Sequence, residues 1–270
     1  MDIKQDVRQF LVSRRARITP KQAGIPTYGR RRVSGLRRSE VAQLTGISED
    51  YYVQLERGDL SGVSEGVLHA LAGALRMDEA ERSHLFDLAR QPAAFPRRPL
   101  RPGIQQMVDA IRTPAFVRNS CLDLIAVNNL ARILYAPLLA NETPPKPANF
   151  ARFCFLDPQA QDFYPDWETA ADATVALMRT EAGRDPHGTH GLVQEIADQS
   201  EPFRRRWAQH EVVLHHTGVK DLQHPAVGQF RLAFEALPLP ADPGLTLAIY
   251  TSTPESRSAQ ALEALLTLTA

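Results

Sequence analysis

Apolar residues recur at helical spacing through the first ninety positions. Ile3, Val7, Phe10 and Leu11 form a stripe that predicts a helix over 3–17, and Arg14 falls at the same spacing. The following segment, 19–35, holds prolines and glycines that forbid a continuous helix. It also carries Arg30, Arg31 and Arg32 in a row. Helical periodicity resumes over 38–58. Ser64 is placed to cap a helix to Met77, with Val67, Leu68, Leu71 and Leu75 on one face. Asp78 opens another to Arg90, with Leu85, Leu88 and Ala89 inward.

Four prolines between Gln91 and Pro102 mark a linker. The expected organisation is a first domain over 1–91, a linker over 92–101 and a second domain over 102–270. In the second part, residues 113–129 hold two β-branched and aromatic runs around a polar turn, which predicts a hairpin. Asn129–Leu139, Trp167–Thr180, Gly191–His210 and Ser256–Leu268 read as helices, and Thr143–Pro147 as a loop. Residues 227–239 and 245–254 read as strands, and the segment before His224 as a strand and turn. Strands, then helices, then strands again predict an α+β domain with an antiparallel sheet. No internal repeat or low-complexity tract is present.

The stretch 38–58 carries the sharpest signal. Ser39 can cap a short helix whose inward positions are Val41, Ala42 and Leu44. Gly46 ends it, supplying the left-handed backbone of a tight turn. Ile47 plugs the turn, and Ser48 caps a second helix. Tyr52 and Leu55 face inward, and Gly58 terminates the helix. Two short helices around a turn of about four residues make a helix-turn-helix. In that geometry the second helix enters the major groove and its N-terminal residues reach base edges. Glu49, Asp50, Tyr51 and Gln54 are the exposed reading positions: Gln54 suits adenine, and carboxylates accept from cytosine N4. Arg38 and the arginine run would neutralise phosphates. The candidate DNA-contacting set is Arg30, Arg31, Arg32, Arg38, Ser39, Ser48, Glu49, Asp50, Tyr51, Gln54 and Arg57.

Charge supports this division of labour. The chain has 31 basic and 31 acidic residues, but the first 59 positions hold twelve basic and seven acidic. A basic segment on an otherwise acidic chain suits a polyanion partner at one end. Cys121 and Cys154 are the only cysteines and form no metal or disulfide framework, which fits free buried thiols in a reducing compartment. The N-terminus shows no signal-peptide core, and no apolar stretch approaches membrane-spanning length. The expectation is a cytoplasmic protein without a membrane partner.

Residues 39–58, followed by 67–89, resemble the xenobiotic-response-element family of five-helix, repressor-type DNA-binding domains. That resemblance covers about 3–90. It implies that Glu40 and Glu56 belong to the scaffold rather than to base reading. The pieces 114–135, 149–168, 200–212, 224–237 and 247–256, taken in order, resemble the ligand-binding domain of MmyB-like transcription regulators. This second resemblance covers about 102–269. It implies a PAS-like fold and a pocket for a small apolar molecule, with a fatty-acid-like ligand expected. No other cofactor is implied.

From the residues alone, Phe116, Trp167, Phe203 and Trp207 are candidates to line such a pocket, or simply core. Arg204, Arg205 and Arg206 offer a carboxylate anchor, though a helix must turn part of that run to solvent. His210, His215 and His216 fit no zinc-ligand spacing. Hydrolase, zincin, P-loop and dinucleotide motifs are absent, so the reading is a regulator and not an enzyme. Paired half-sites predict a homodimer. The alternative is an antitoxin-like DNA-binding protein whose second half holds a protein partner.

Overall fold

The computed structural model describes residues 3–26, 31–90, 99–140 and 147–267. The first region is helical: α1 (Ile3–Arg17), α2 (Arg38–Thr45), α3 (Glu49–Glu56), α4 (Glu65–Ala74) and α5 (Glu79–Ala89). Their stripes close one core around Val7, Phe10, Leu11, Leu36, Val41, Tyr52, Leu55, Leu71 and Leu85. Local chemistry sets the helix starts. Ser48 Oγ accepts from Tyr51 N at 3.1 Å, and Ser64 Oγ from Val67 N at 3.3 Å. Asp78 and Glu81 form a reciprocal capping box on α5.

Two local expectations are corrected here. α2 begins at Arg38, so Ser39 lies in its first turn rather than at the cap. Glu40 does the end work instead, accepting from Arg37 N at 2.7 Å. Leu44 is 40% exposed and not inward. On a 100° wheel it lies about 110° from the midpoint of Val41 and Ala42, outside the buried stripe.

The second region contains α6 (Pro102–Asp109), β1 (Ala115–Arg118), β2 (Leu124–Val127), α7 (Asn129–Leu134) and α8 (Ala136–Ala140). Then come α9 (Phe150–Leu156), α10 (Gln159–Phe163), α11 (Trp167–Arg184), α12 (Pro186–Gln199) and α13 (Glu201–Trp207). β3 (Thr217–His224), β4 (Gly228–Pro238), β5 (Thr246–Thr251) and α14 (Arg257–Thr267) complete it. The strands form one antiparallel sheet in the order β2-β1-β5-β4-β3. The expected hairpin is β1–β2. The linker at 92–101 and the loop at 143–147 fall mostly outside the described residues.

Strand alternation sorts the sheet faces. Phe230, Leu232, Phe234 and Ala236 of β4 point into the main core with Phe116, Tyr135, Phe163 and Tyr250. α6 covers part of the opposite face, packing Ile104 and Val108 against Val117, Ala126 and Leu247. The single helix expected over 191–210 is two helices. Ser200 is extended at φ −122° and ψ 110°, its hydroxyl caps Phe203 N at 3.3 Å, and Pro202 cannot continue an earlier helix.

Candidate nucleic-acid interface and ligand cavity

α3 buries Tyr52, Leu55 and Glu56 and leaves Glu49, Asp50 and Gln54 exposed, with Tyr51 half-buried. The apolar side of this helix is fully used by the core, so its polar side is free for another molecule. Gly58 makes that packing possible. It has φ +98°, and a Cβ there would sit 2.2 Å from Lys4 O on α1.

Two carboxylates organise the arginines. Glu40 takes Arg31 in a bidentate pair, at 2.7 and 2.8 Å, which ties the long insertion to α2. That hydrogen-bonded guanidinium holds the Glu40 carboxyl below its ordinary pKa. Glu56 is 2% exposed and accepts from Arg15 Nε at 2.6 Å, from Arg38 Nε and from Tyr52 Oη at 3.3 Å. Arg31 and Arg38, expected at phosphates, are therefore both held by scaffold carboxylates. The Arg38 side chain keeps 47% of its surface exposed beside Glu56, whereas Arg31 keeps 16%. Arg32, Arg57 and Ser39 are exposed, and Arg30 lies outside the described residues. Arg15 was not singled out from the sequence, because nothing local marks it as the partner of a residue 41 positions away.

The second domain holds a small, partly open cavity of about 40 Å³ between the sheet and α11. Phe116, Phe150, Tyr164, Leu177, Phe234 and Tyr250 supply apolar wall, and Arg118, His215 and Lys220 supply polar wall. The Arg118 guanidinium pairs with Glu181 at 3.0 Å, both ends buried. Burial pushes Lys220 down to about 8, and His215 down to about 3. Burial raises the Cys154 thiol to about 12, which suits an inert thiol rather than a nucleophile.

Of the four aromatic candidates, only Phe116 lines this cavity. Trp167 donates from Nε1 to Cys154 O at 2.9 Å and lies under Arg206. Phe203 and Trp207 stack with centroids 5.4 Å apart in a separate core behind α11. Arg206 is buried there on Glu168 and Asp172, so the arginine run does not reach the cavity. Among the described residues, no group of His, Cys, Asp and Glu is arranged to hold a metal ion.

The two regions meet along α11 and the segment 210–216. Arg14 donates to His210 O, and Arg17 pairs with Glu211. Arg184 pairs with Asp87 at 3.1 Å. The His84 ring lies so close to Gly183 that a Cβ there would meet Nδ1 at 2.6 Å.

Residues 100–266, more than half of the chain, match the family described as MmyB-like transcription regulator ligand binding domain. The chain belongs to the MmyB-like transcription regulators. Residues 14–85 match a helix-turn-helix domain. No curated protein matches the chain. This MmyB-like regulator thus joins a DNA-binding domain to a ligand-sensing one, and both matched families are regulatory rather catalytic in kind. Among the described residues no helix of this MmyB-like chain is long and apolar enough to cross a membrane.

Proposed function

We propose that the protein is a one-component cytoplasmic regulator that binds double-stranded DNA as a homodimer and releases or grips it according to a bound apolar ligand. The observation that carries the DNA half is α3, whose polar side is exposed while its apolar side closes the core. Glu49, Asp50, Tyr51 and Gln54 face base edges in this reading. Arg30, Arg32, Arg38 and Arg57 meet phosphates, with Ser39 and Ser48 near the backbone at the helix starts. Acidic residues at the front of a reading helix lower non-specific attraction, so surrounding arginines and a second protomer must supply affinity.

The ligand half rests on the aromatic cavity, whose apolar walls and few polar groups are of the kind a fatty-acid-like molecule needs, and which must widen to admit one. α11 lends Thr174 and Leu177 to that cavity and Gly183 and Arg184 to the seam with α5. The segment 210–216 does the same with His215 and His210. A ligand that favours one setting of these two segments shifts DNA affinity by its differential affinity for the two settings, and no more. The boundary between the halves lies within 92–101.

Gln54→Ala is expected to reduce discrimination at one base position, by about 1–3 kcal/mol. Arg57→Ala is expected to weaken all duplexes alike and to lower the slope of log K against log salt by about one. Titration of both variants against cognate and random duplexes tests this. Equal losses on both duplexes for Gln54→Ala would remove α3 from the reading role. For the ligand, organic extracts of the purified protein should yield a lipid-like acid by mass spectrometry. Empty extracts, with no thermal shift across a panel of fatty acids, would count against the apolar-ligand reading.

A further inference from the structure

β3 is an edge strand with alternating faces. Lys220 pairs in register with Leu232, and both belong to the inward set, with Leu222 two residues on. A lysine at an inward strand position is the exception in this sheet. Its ammonium lies 5.8 Å from the centroid of the Phe234 ring, within the aromatic cavity. Gly218 lets the Phe234 ring pack directly on β3, since a Cβ there would meet that ring at 2.8 Å.

The charges around Lys220 do not balance. Arg118, the other cation of the cavity, is matched by Glu181. Asp221, the adjacent carboxylate on β3, is bound by Arg231 at 2.7 Å on the outer face. The remaining titratable neighbours are His215, Cys154, Tyr164 and Tyr250, and none is an acid at neutral pH. No described carboxylate forms an ion pair with Lys220. Lys220 is half-buried, and a partly desolvated charge without an ion-pair partner is costly, so a partner is expected to arrive with the ligand.

We infer that Lys220 is the anchor for the acidic head group of the fatty-acid-like ligand proposed above. The inference rests on the reading of the cavity as the ligand site. A single unmatched cation selects a single negative charge. A phosphate dianion would leave excess charge against Phe116, Phe150 and Tyr250. The apolar body then lies along the rings and Leu177. Arg204, Arg205 and Arg206 take no part.

The test compares decanoate with decanol, which share a chain and differ in the head group. Binding to the full-length protein is followed by calorimetry. At pH 7 the wild type is expected to bind decanoate at least about tenfold more tightly than decanol. That preference should fall as the pH rises past about 8, where the free lysine loses its proton. Lys220→Met should abolish the preference while keeping decanol binding, because methionine fills similar apolar space. Equal affinity of the wild type for both compounds would overturn the inference, and that arm needs no variant. A Lys220→Met protein that still prefers decanoate would also overturn it. Binding of neither compound would overturn the cavity reading itself, and the head-group assignment with it.

Discussion

Glu56→Ala is expected to unfold the DNA-binding half at temperatures where the ligand-binding half stays folded. Glu56 is a 2% exposed carboxylate held by Arg15, Arg38 and Tyr52. Alanine removes the only negative charge among these four groups. It leaves the half-buried Arg15 guanidinium and the buried Tyr52 hydroxyl without their partner. Breaking a buried pair from one side costs about 3–5 kcal/mol, against a total of about 5–15 kcal/mol for a typical domain. The loss also reaches DNA binding, because Arg38 is aimed by the same carboxylate. The two tryptophans make the test clean, since Trp167 and Trp207 both lie in the second domain. Tryptophan fluorescence therefore follows that domain alone, while far-ultraviolet circular dichroism follows both. In urea the dichroism transition should split and its early part should move to low denaturant. The fluorescence transition should stay where it is. Glu56→Gln should fall between, because an amide keeps an acceptor but not the charge. A loss below about 1 kcal/mol would place Glu56 among weak surface pairs and remove it as the keystone of α1, α2 and α3.

What was legible in the sequence was local. Ser48, Ser64, Asp78 and Gly46 act within one helical turn of themselves, so spacing alone reveals them. Ser39 shows the limit: it looked like a cap, but Glu40 reaching back to Arg37 sets the start one residue earlier. The antiparallel sheet followed from alternation in β4 and β5. The break between α12 and α13 was missed, because apolar spacing runs across Ser200 and Pro202 while backbone chemistry stops the helix there. Long-range choices were illegible. Periodicity says that Phe203 and Trp207 are buried, not which of two cores receives them. Lys220 was passed over because an exposed strand lysine and a cavity lysine look alike until the register with Leu232 is known. Arg14 appeared on the apolar stripe of α1, and its burial rests on Glu81 of α5 at 3.0 Å together with the second domain lying over it, where it donates to His210 O.

That burial leads to the second large effect. Acidification from pH 7 to 5 is expected to loosen the seam between the two halves. His84 and His210 are both buried there, and burial, with Arg179 and Arg14 beside them, holds each imidazole down to about 3. The positive groups around them come from both sides: Arg14 and Arg17 on α1, Arg179 and Arg184 on α11. Glu81 and Asp87 on α5 are the facing acids. With the halves apart, an ordinary histidine titrates near 6.5. Above that pH both rings are neutral in either arrangement, so the seam keeps its full strength. As the pH falls below 6.5 only the separated form gains protons, and the seam weakens progressively toward pH 3. At pH 5 each histidine can shift the balance toward separation by up to about thirtyfold. Asp87 acts in the opposite sense, because burial raises its pKa and its protonation relieves that cost. Small-angle scattering across pH 7 to 5 should show a growing radius of gyration without loss of helix signal. His84→Gln and His210→Gln should each flatten the response. Both imidazoles titrating near 6.5 in a particle that stays compact would sink the idea. Because the same seam joins the cavity walls to α1 and α5, loosening it should also make DNA affinity insensitive to ligand. The pH at which that coupling fades should follow the pH at which the particle expands.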